Sequence, residues 1–163
     1  MEFRIISLPP FTAAISDLSK DCDFSPGGTL NNFSRYFSAI QVSPRDNFCP
    51  RDFLYFDLQQ QGMLWMWALS DGMDDGGNQI IDFDGGYYLT YAYKDGDQDT
   101  NEKLWCKAME YIQSSDILEL DIRPNHYAMG HIITPQQIIH AQGWAQMETF
   151  IPVRLKNLTA TAK

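Results

Sequence analysis

Cysteine, basic residues and long apolar runs are all scarce in this chain, and each scarcity excludes a class of protein. Three cysteines occur among 163 residues, and their odd number and wide spacing predict neither a disulfide framework nor a paired metal site. No apolar segment approaches the roughly 18 residues that a membrane helix needs, and the first residues lack the pattern of a secretion signal. We therefore expect a cytoplasmic protein, away from the membrane, with reduced and buried thiols.

Positive charge is sparse as well. The sequence has 12 Lys plus Arg against 21 Asp plus Glu, a formal net charge of -9. Because proteins draw most of their affinity for nucleic acid from cations that meet phosphates, direct binding to DNA is not expected. An acidic surface attracts cationic ligands over long range, although acidity for solubility alone explains the same composition.

Several catalytic and cofactor signatures are missing. The glycine pairs lack the lysine and the spacing of a phosphate-binding loop, and no Gly-x-Ser-x-Gly turn occurs. The acidic loop 71–77 lacks the terminal glutamate of a calcium loop. His126 and His131 lie five residues apart on a predicted strand, so they face opposite sides, and His140 adds no zinc spacing. The sequence therefore predicts no cofactor and no metal site.

Hydrophobic periodicity predicts an α+β fold in which the order strand, helix, strand, strand occurs twice. The single domain is expected over 1–155, with the first repeat at about 1–70. That repeat begins with a strand broken at Pro9-Pro10, followed by a helix that Thr29 caps. It ends in a predicted hairpin of two aromatic-rich strands, 53–58 and 64–69.

The second repeat, about 79–155, follows the same order. A tyrosine-rich strand precedes a helix in which Asp99 and Glu102 form a capping box. An irregular connection joins the last two strands, and a flexible tail follows them. The predicted strands of this repeat are 87–93, 126–133 and 146–153, the connection is 134–143 and the tail is 156–163.

The last strand carries the candidate site. In the segment Met147-Glu148-Thr149-Phe150-Ile151-Pro152-Val153, alternation places Glu148 and Phe150 on one face. A carboxylate beside an aromatic ring suits a positively charged or polar aromatic ligand. A solvated glutamate at the start of a strand explains the same pattern, so both interpretations stay open.

Aromatic side chains are plentiful enough to line a ligand groove. The chain has 4 Trp, 8 Tyr and 10 Phe, and tyrosines suit an open sheet face because ring and hydroxyl serve apolar and wet surroundings together. Strand parity defines sets of residues without telling which set faces the groove. The predicted ligand-binding residues are Tyr55, Trp67, Tyr91, Tyr127, Glu148 and Phe150.

With this order of elements, the chain resembles the GyrI-like small-molecule-binding family, the effector-binding domain of AraC-type and MerR-type regulators and of free-standing proteins. The resemblance implies two pseudo-twofold-related strand-helix-strand-strand units that form an antiparallel sheet. Helices are then expected on one face and a ligand groove on the other. The matching segments, in chain order, are Phe3-Arg4-Ile5-Ile6, Phe11 to Ile15, Asp84-Gly85-Gly86-Tyr87-Tyr88, Leu104-Trp105 and Glu148 to Val153.

The function that this resemblance implies is binding of a small molecule, such as a lipophilic cation or an aromatic drug. The chain is then the effector-sensing part of a bacterial transcription regulator, or a stand-alone relative. It reaches DNA only through a separate DNA-binding domain, and a monomer or homodimer is expected.

Two alternatives stay open beside this reading. Some similar proteins hydrolyse reactive cyclopropane-containing compounds, so one alternative is a hydrolase that uses Glu148 and Tyr127. The other is an acidic module that sequesters another protein. Many family members carry a glutamate in the next-to-last strand, where this chain has histidines and no acid. Glu148 is therefore the remaining candidate acid.

Overall fold

The computed structural model describes residues 3–41 and 51–156. Within them the fold is α+β, with nine antiparallel strands and three helices, which confirms the predicted class. None of the helices in this part of the chain is long and apolar enough to cross a membrane. The elements are β1 (Arg4–Leu8), β2 (Phe11–Ile15), α1 (Thr29–Ser38), β3 (Asp52–Asp57), β4 (Gly62–Ala68), β5 (Gln79–Phe83), β6 (Gly86–Lys94), α2 (Gln98–Ser114), β7 (Leu118–Leu120), β8 (Met129–Ile132), α3 (Gln136–Gln142) and β9 (Gln146–Leu155).

The chain divides into two compact units. The terminal unit comprises Met1–Pro9, Gly85–Ala128 and Ile132–Lys163, and the central unit comprises Pro10–Asp84 and Met129–His131. The break predicted at Pro9-Pro10 is present, and the two halves are separate strands of different units. β1 pairs with β6, whereas β2 pairs with β4 and β5, because neither proline can donate the ladder hydrogen bond that a continuous strand needs.

The sheet of the terminal unit is covered by α2 on one face. Its strands pair in the order β1, β6, β9 and β7. Ala108 and Ile112 of α2 pack against Leu89, Tyr91 and Ile151 in one buried cluster. Burying each large apolar side chain there stabilises the unit by about 1.5–3 kcal/mol. Residues of the opposite parity on β6 and β9 point to the other face.

The central unit uses α1 in the same way. Its strands pair in the order β8, β3, β4, β2 and β5. Phe33 and Phe37 of α1 pack against Ala14, Trp65 and Trp67, and the rings of Phe37 and Trp67 stack with centroids 5.3 Å apart. The apolar stripe predicted for this helix is thus its buried face.

The start of α1 differs from the prediction. Gly28, not Thr29, is the N-cap residue, and no side chain caps the helix. A Cβ atom on Gly28 would lie 2.5 Å from the Asp23 carboxyl carbon. The chain therefore places glycine at this position, and Thr29 becomes the first helical residue.

The N-cap of helix α2 lies two residues before the predicted one. Asp97 is its N-cap, and its carboxylate accepts hydrogen bonds from the Thr100 amide at 3.1 Å and the Thr100 hydroxyl at 2.7 Å. The Thr100 hydroxyl, with the Thr100 amide, holds the pKa of Asp97 below its ordinary value. Asp99 lies inside the first turn instead of capping it.

The region before β9 is also more regular than predicted. The prediction of a strand over 126–133 is wrong for residues 126–128, since β8 spans Met129–Ile132. The connection contains α3, which ends at Gly143 in the left-handed conformation with φ 78°. Glycine is the residue that adopts this C-terminal cap without strain. The short strand β7, which pairs with β9, was not predicted.

The prediction of buried thiols is wrong for the two described cysteines. Cys22 and Cys106 are both exposed and free. Cys106 lies on the solvent side of α2, because Ala108 and Ile112 occupy its buried side. Cys49 and residues 157–163 of the predicted tail lie outside the described residues.

We expect Asp97→Ala to lower the free energy of unfolding by about 1 kcal/mol, the usual cost of losing an N-cap side chain. Asp99→Ala is the matched control, and it should cost only about 0.3–1 kcal/mol through the helix dipole. Urea unfolding of both variants measures the difference. A larger loss for Asp99→Ala would show that the cap is assigned to the wrong aspartate.

Candidate functional site

The two faces of β9 differ in chemistry. Thr149 and Ile151 are paired with Tyr91 and Leu89 of β6, on the side that α2 covers. Glu148 and Phe150 alternate with them and point to the opposite face. Both are buried. The strand parity predicted for these two residues is therefore present in the structure.

The opposite face brings together side chains from three neighbouring strands. Across the sheet, Arg4 of β1 is paired with Thr90 of β6, and Thr90 is paired with Phe150 of β9. Glu148 is paired with Ala92, which is exposed, so the face is reached by solvent at that end. We call this set the Glu148 face, and it comprises Arg4, Tyr88, Thr90, Glu148 and Phe150.

An ion pair dominates the electrostatics of the Glu148 face. Arg4 Nη2 donates a hydrogen bond to Glu148 Oε1. The Glu148 side chain is only 7% exposed, whereas that of Arg4 is 66% exposed. A buried carboxylate without a partner is costly, so Arg4 compensates its charge from the solvent side. Sequence reasoning missed Arg4 as a site residue, although a lone cation within the apolar segment Phe3-Arg4-Ile5-Ile6 was a usable signal.

The remaining members of this face are an aromatic floor, formed by Tyr88 and Phe150, and Thr90, and all three are fully buried. The rings of Tyr88 and Phe150 meet edge to face, with centroids 6.4 Å apart. Burial raises the pKa of Tyr88, and the negative charge of Asp121 adds to the shift, so its phenol stays neutral. Thr90 Oγ1 is buried and has no hydrogen-bond partner within residues 3–41 and 51–156. An unsatisfied buried hydroxyl costs about 1–3 kcal/mol.

A second polar group of the terminal unit lies in the loop after β7. Arg123 Nε and Nη2 donate to the two carboxylate oxygens of Asp121 at 2.8 and 2.5 Å. His126 Nε2 lies 3.5 Å from Asp121 Oδ2, and His126 Nδ1 lies 2.9 Å from the Pro124 carbonyl oxygen. Asp121 is almost fully buried. Sequence reasoning missed this cluster, because nothing in the spacing of Asp121 and Arg123 marks a buried bidentate pair.

The positions of the histidines differ from those predicted. His126 precedes β8, and only His131 lies on it. His131 Nδ1 lies 2.9 Å from the Asp52 carbonyl oxygen and 3.2 Å from Asp52 Oδ1. His140 is near the end of α3. Among the described residues no cluster of His, Cys, Asp and Glu is suited to hold a metal ion.

Two predicted groove residues lie beneath helices. Tyr91 is on the α2 side of its sheet, and its hydroxyl donates to Asn101 Oδ1 at 2.9 Å. Burial raises the pKa of Tyr91 to about 12. Trp67 packs under α1 in the central unit. Both rings therefore contribute to the cores of their units.

The other two predicted residues are placed elsewhere. Tyr55 is buried on β3, and its cross-strand partner is Leu64 of β4. Leu64 alternates with Trp65, so Tyr55 points away from α1. Tyr127 lies in the loop before β8, where its hydroxyl donates to Asn125 Oδ1 at 3.3 Å.

Comparison with known proteins shows the fold and no sequence family. No family model matches the sequence, and no curated protein matches it. SAV2435, solved bound to tetraphenylphosphonium, is 12% identical, with a TM-score of 0.57 over 97% of this chain and 96% of that chain. A protein from Staphylococcus aureus MU50, named as a candidate in bacterial transcription regulation, is 12% identical, with a TM-score of 0.53 over 94% and 99%. A hydrolase from Listeria innocua is 8% identical, with a TM-score of 0.56 over 94% and 92%.

We expect Asp121→Asn to destabilise the protein at neutral pH and much less in acid. Hydrogen bonds from the Arg123 side chain hold the pKa of Asp121 below its ordinary value of 3.8. A carboxylate with a lowered pKa stabilises the fold above its unfolded pKa, and that stabilisation is lost as the pH falls through its folded pKa.

The free energies of unfolding of wild type and Asp121→Asn should differ by about 1–3 kcal/mol at pH 7. They should converge below pH 3.8. Urea titrations at several pH values measure this, with the exposed Asp116→Asn as the control. A difference in the free energy of unfolding that does not change with pH would contradict the lowered pKa of Asp121.

Proposed function

We propose that this chain is a small-molecule-binding domain of the GyrI-like kind, and that its ligand binds at the Glu148 face. The observation that carries the proposal is a buried carboxylate on the same sheet face as the buried ring of Phe150, two residues further along β9, which in turn meets the ring of Tyr88. Among the described residues, the partner of this carboxylate is a mostly exposed arginine on the solvent side. Carboxylates that serve folding alone are more often solvated or fully enclosed by donors.

The chemistry of the face favours a lipophilic cation or a cationic aromatic molecule. A positive ligand replaces the guanidinium of Arg4 beside Glu148, while its apolar groups contact the aromatic floor. The faces of aromatic rings attract cations as well. The tetraphenylphosphonium bound by SAV2435, which shares this fold, supports the choice of that ligand class for the first test.

The wider role that we propose is effector sensing in bacterial transcription regulation, or the same binding function in a stand-alone protein. The net charge of -9 favours contact with DNA through a separate DNA-binding domain. For regulation, the ligand must bind two states of the regulator with different affinities. We propose a monomer or a homodimer.

A second candidate is a hydrolase, favoured by the likeness in fold to the Listeria innocua hydrolase. In that case Glu148 acts as a general base on water, with Tyr127 as a donor. Because Arg4 donates a hydrogen bond to one Glu148 oxygen, the substrate must first displace Arg4 from that oxygen. Turnover that is lost in Glu148→Gln would support this candidate over simple binding.

We expect Glu148→Gln to weaken binding of tetraphenylphosphonium by about 10- to 100-fold, because the cation loses its Coulombic attraction to a buried carboxylate, and each tenfold change in Kd corresponds to about 1.4 kcal/mol. Isothermal titration calorimetry measures the affinity, and near-ultraviolet circular dichroism checks the fold. Triphenylphosphine oxide supplies a neutral comparison.

The matched control is Glu119→Gln, which removes an exposed carboxylate paired with Arg154 at 2.8 Å in the same unit. This variant should bind as wild type does. Equal affinities of the wild type and Glu148→Gln for the cation would rule out Glu148 as the ligand partner.

We expect Arg4→Gln to raise the affinity for tetraphenylphosphonium, by about 10-fold, because the internal competitor for Glu148 is removed. The ligand-free variant should melt at a lower temperature, since a buried carboxylate loses its partner. The cation should then restore stability more than it does in the wild type. Arg154→Gln is the matched control for charge. A weaker affinity in Arg4→Gln would mean that Arg4 assists the ligand instead of competing with it.

A further inference from the structure

The central unit contains a pocket of about 330 Å³, a size at the lower end of small-molecule sites. It lies between the end of β2, one side of α1 and the loop before β5. All of its lining residues belong to the central unit, so it is separate from the Glu148 face. The polar side chains that the argument uses are Ser16, Asp17, Asn32, Tyr36 and Asn78.

The two amide side chains present acceptors to this pocket. Asn32 Nδ2 donates to the Gly27 carbonyl oxygen at 2.9 Å, and Asn78 Nδ2 donates to the Asp75 carbonyl oxygen at 2.7 Å. Each amide therefore donates one of its two N–H groups to the backbone, and its side-chain oxygen accepts no hydrogen bond from the described residues.

The charged groups around the pocket are negative. Asp17 is exposed and makes no hydrogen bond or ion pair within the described part of the chain. Burial raises the pKa of Tyr36, and the negative charges of Asp74 and Asp75 add to the shift. The pocket therefore offers acceptors and negative potential.

A close backbone approach fixes one wall. Gly76 has φ +63°, and a Cβ atom there would lie 2.5 Å from Tyr36 Cε1. The loop before β5 therefore packs directly on the ring of Tyr36, which only glycine permits. Further along the same wall, Ser16 is buried, and its hydroxyl accepts from the Trp65 amide at 2.9 Å. Contacts within the fold therefore fix both ends of this polar wall.

We propose that this pocket binds a compact, hydroxylated primary ammonium ion of about the size of an amino sugar, with the ammonium on Asp17 and the hydroxyls on Asn32 and Asn78. An ammonium group brings three donors and a positive charge to a site of free acceptors. An anion meets repulsion from Asp17 and Asp74. A purely apolar molecule leaves the acceptors without donors.

Three sugars of nearly the same shape test the proposal: glucosamine as the cation, glucose as the neutral form and glucuronate as the anion. Titrations of the full chain are followed in ¹H–¹⁵N NMR spectra through the Gly27 and Gly76 amides and the Asn32 and Asn78 side-chain signals. We expect the Kd for glucosamine, obtained from these shifts, to be at least tenfold lower than the Kd for glucose. Glucuronate should leave the signals unchanged. Equal affinities for the three sugars, or no shift with glucosamine, would overturn the proposal.

Asp17→Asn keeps the shape of the side chain and removes its charge. It should weaken glucosamine binding about tenfold or more, whereas Asp21→Asn, an exposed aspartate that does not line the pocket, should change nothing. Glu148→Gln should also leave glucosamine binding intact. Unchanged affinity in Asp17→Asn, with the fold verified by circular dichroism, would refute the assignment of the ammonium partner.

Discussion

The terminal unit depends on how the charge of Glu148 is compensated. This carboxylate lies on a buried sheet face, and removal of a carboxylate from water is costly unless a partner is supplied. The partner, Arg4, is 144 residues away in the sequence and reaches Glu148 only because β1 pairs with β6. For that pairing, the chain must leave the terminal unit at Pro9 instead of continuing into β2. The pairing of β1 with β6 is therefore required both for the order of the strands and for the ion pair at Glu148.

The same arrangement prepares the face for exchange of one cation for another. Since Glu148 is already buried and paired, a cationic ligand does not have to desolvate the carboxylate again, which is the benefit of a preorganised site. The Arg4 side chain is already 66% exposed, so its guanidinium needs little further hydration when a ligand takes its place. The aromatic pair Tyr88 and Phe150 lies on the same face and suits the aromatic groups of such a ligand better than it suits a guanidinium.

Local patterns predicted the elements well, and long-range partners poorly. The helical stripe of α1 and the parity of β9 follow from periodicities of 3.6 and 2 residues, and both are present. The same period of 2 does not tell which face a helix covers, so Tyr91 and Trp67 were grouped with Glu148 although α2 and α1 cover them. The pairing of Arg4 with Glu148 depends on strand order, which no local signal in the sequence specifies.

Direct observation of the Arg4 guanidinium during a titration with tetraphenylphosphonium tests the central claim best. In ¹H–¹⁵N NMR spectra of arginine side chains, Arg4 should show slow exchange with water in the free protein, as expected for a group held by a buried carboxylate. At saturation, its signal should move to the position and exchange rate of a solvated arginine, while the Arg154 signal stays unchanged. An Arg4 signal that remains in its paired state at full occupancy of the ligand would contradict the account.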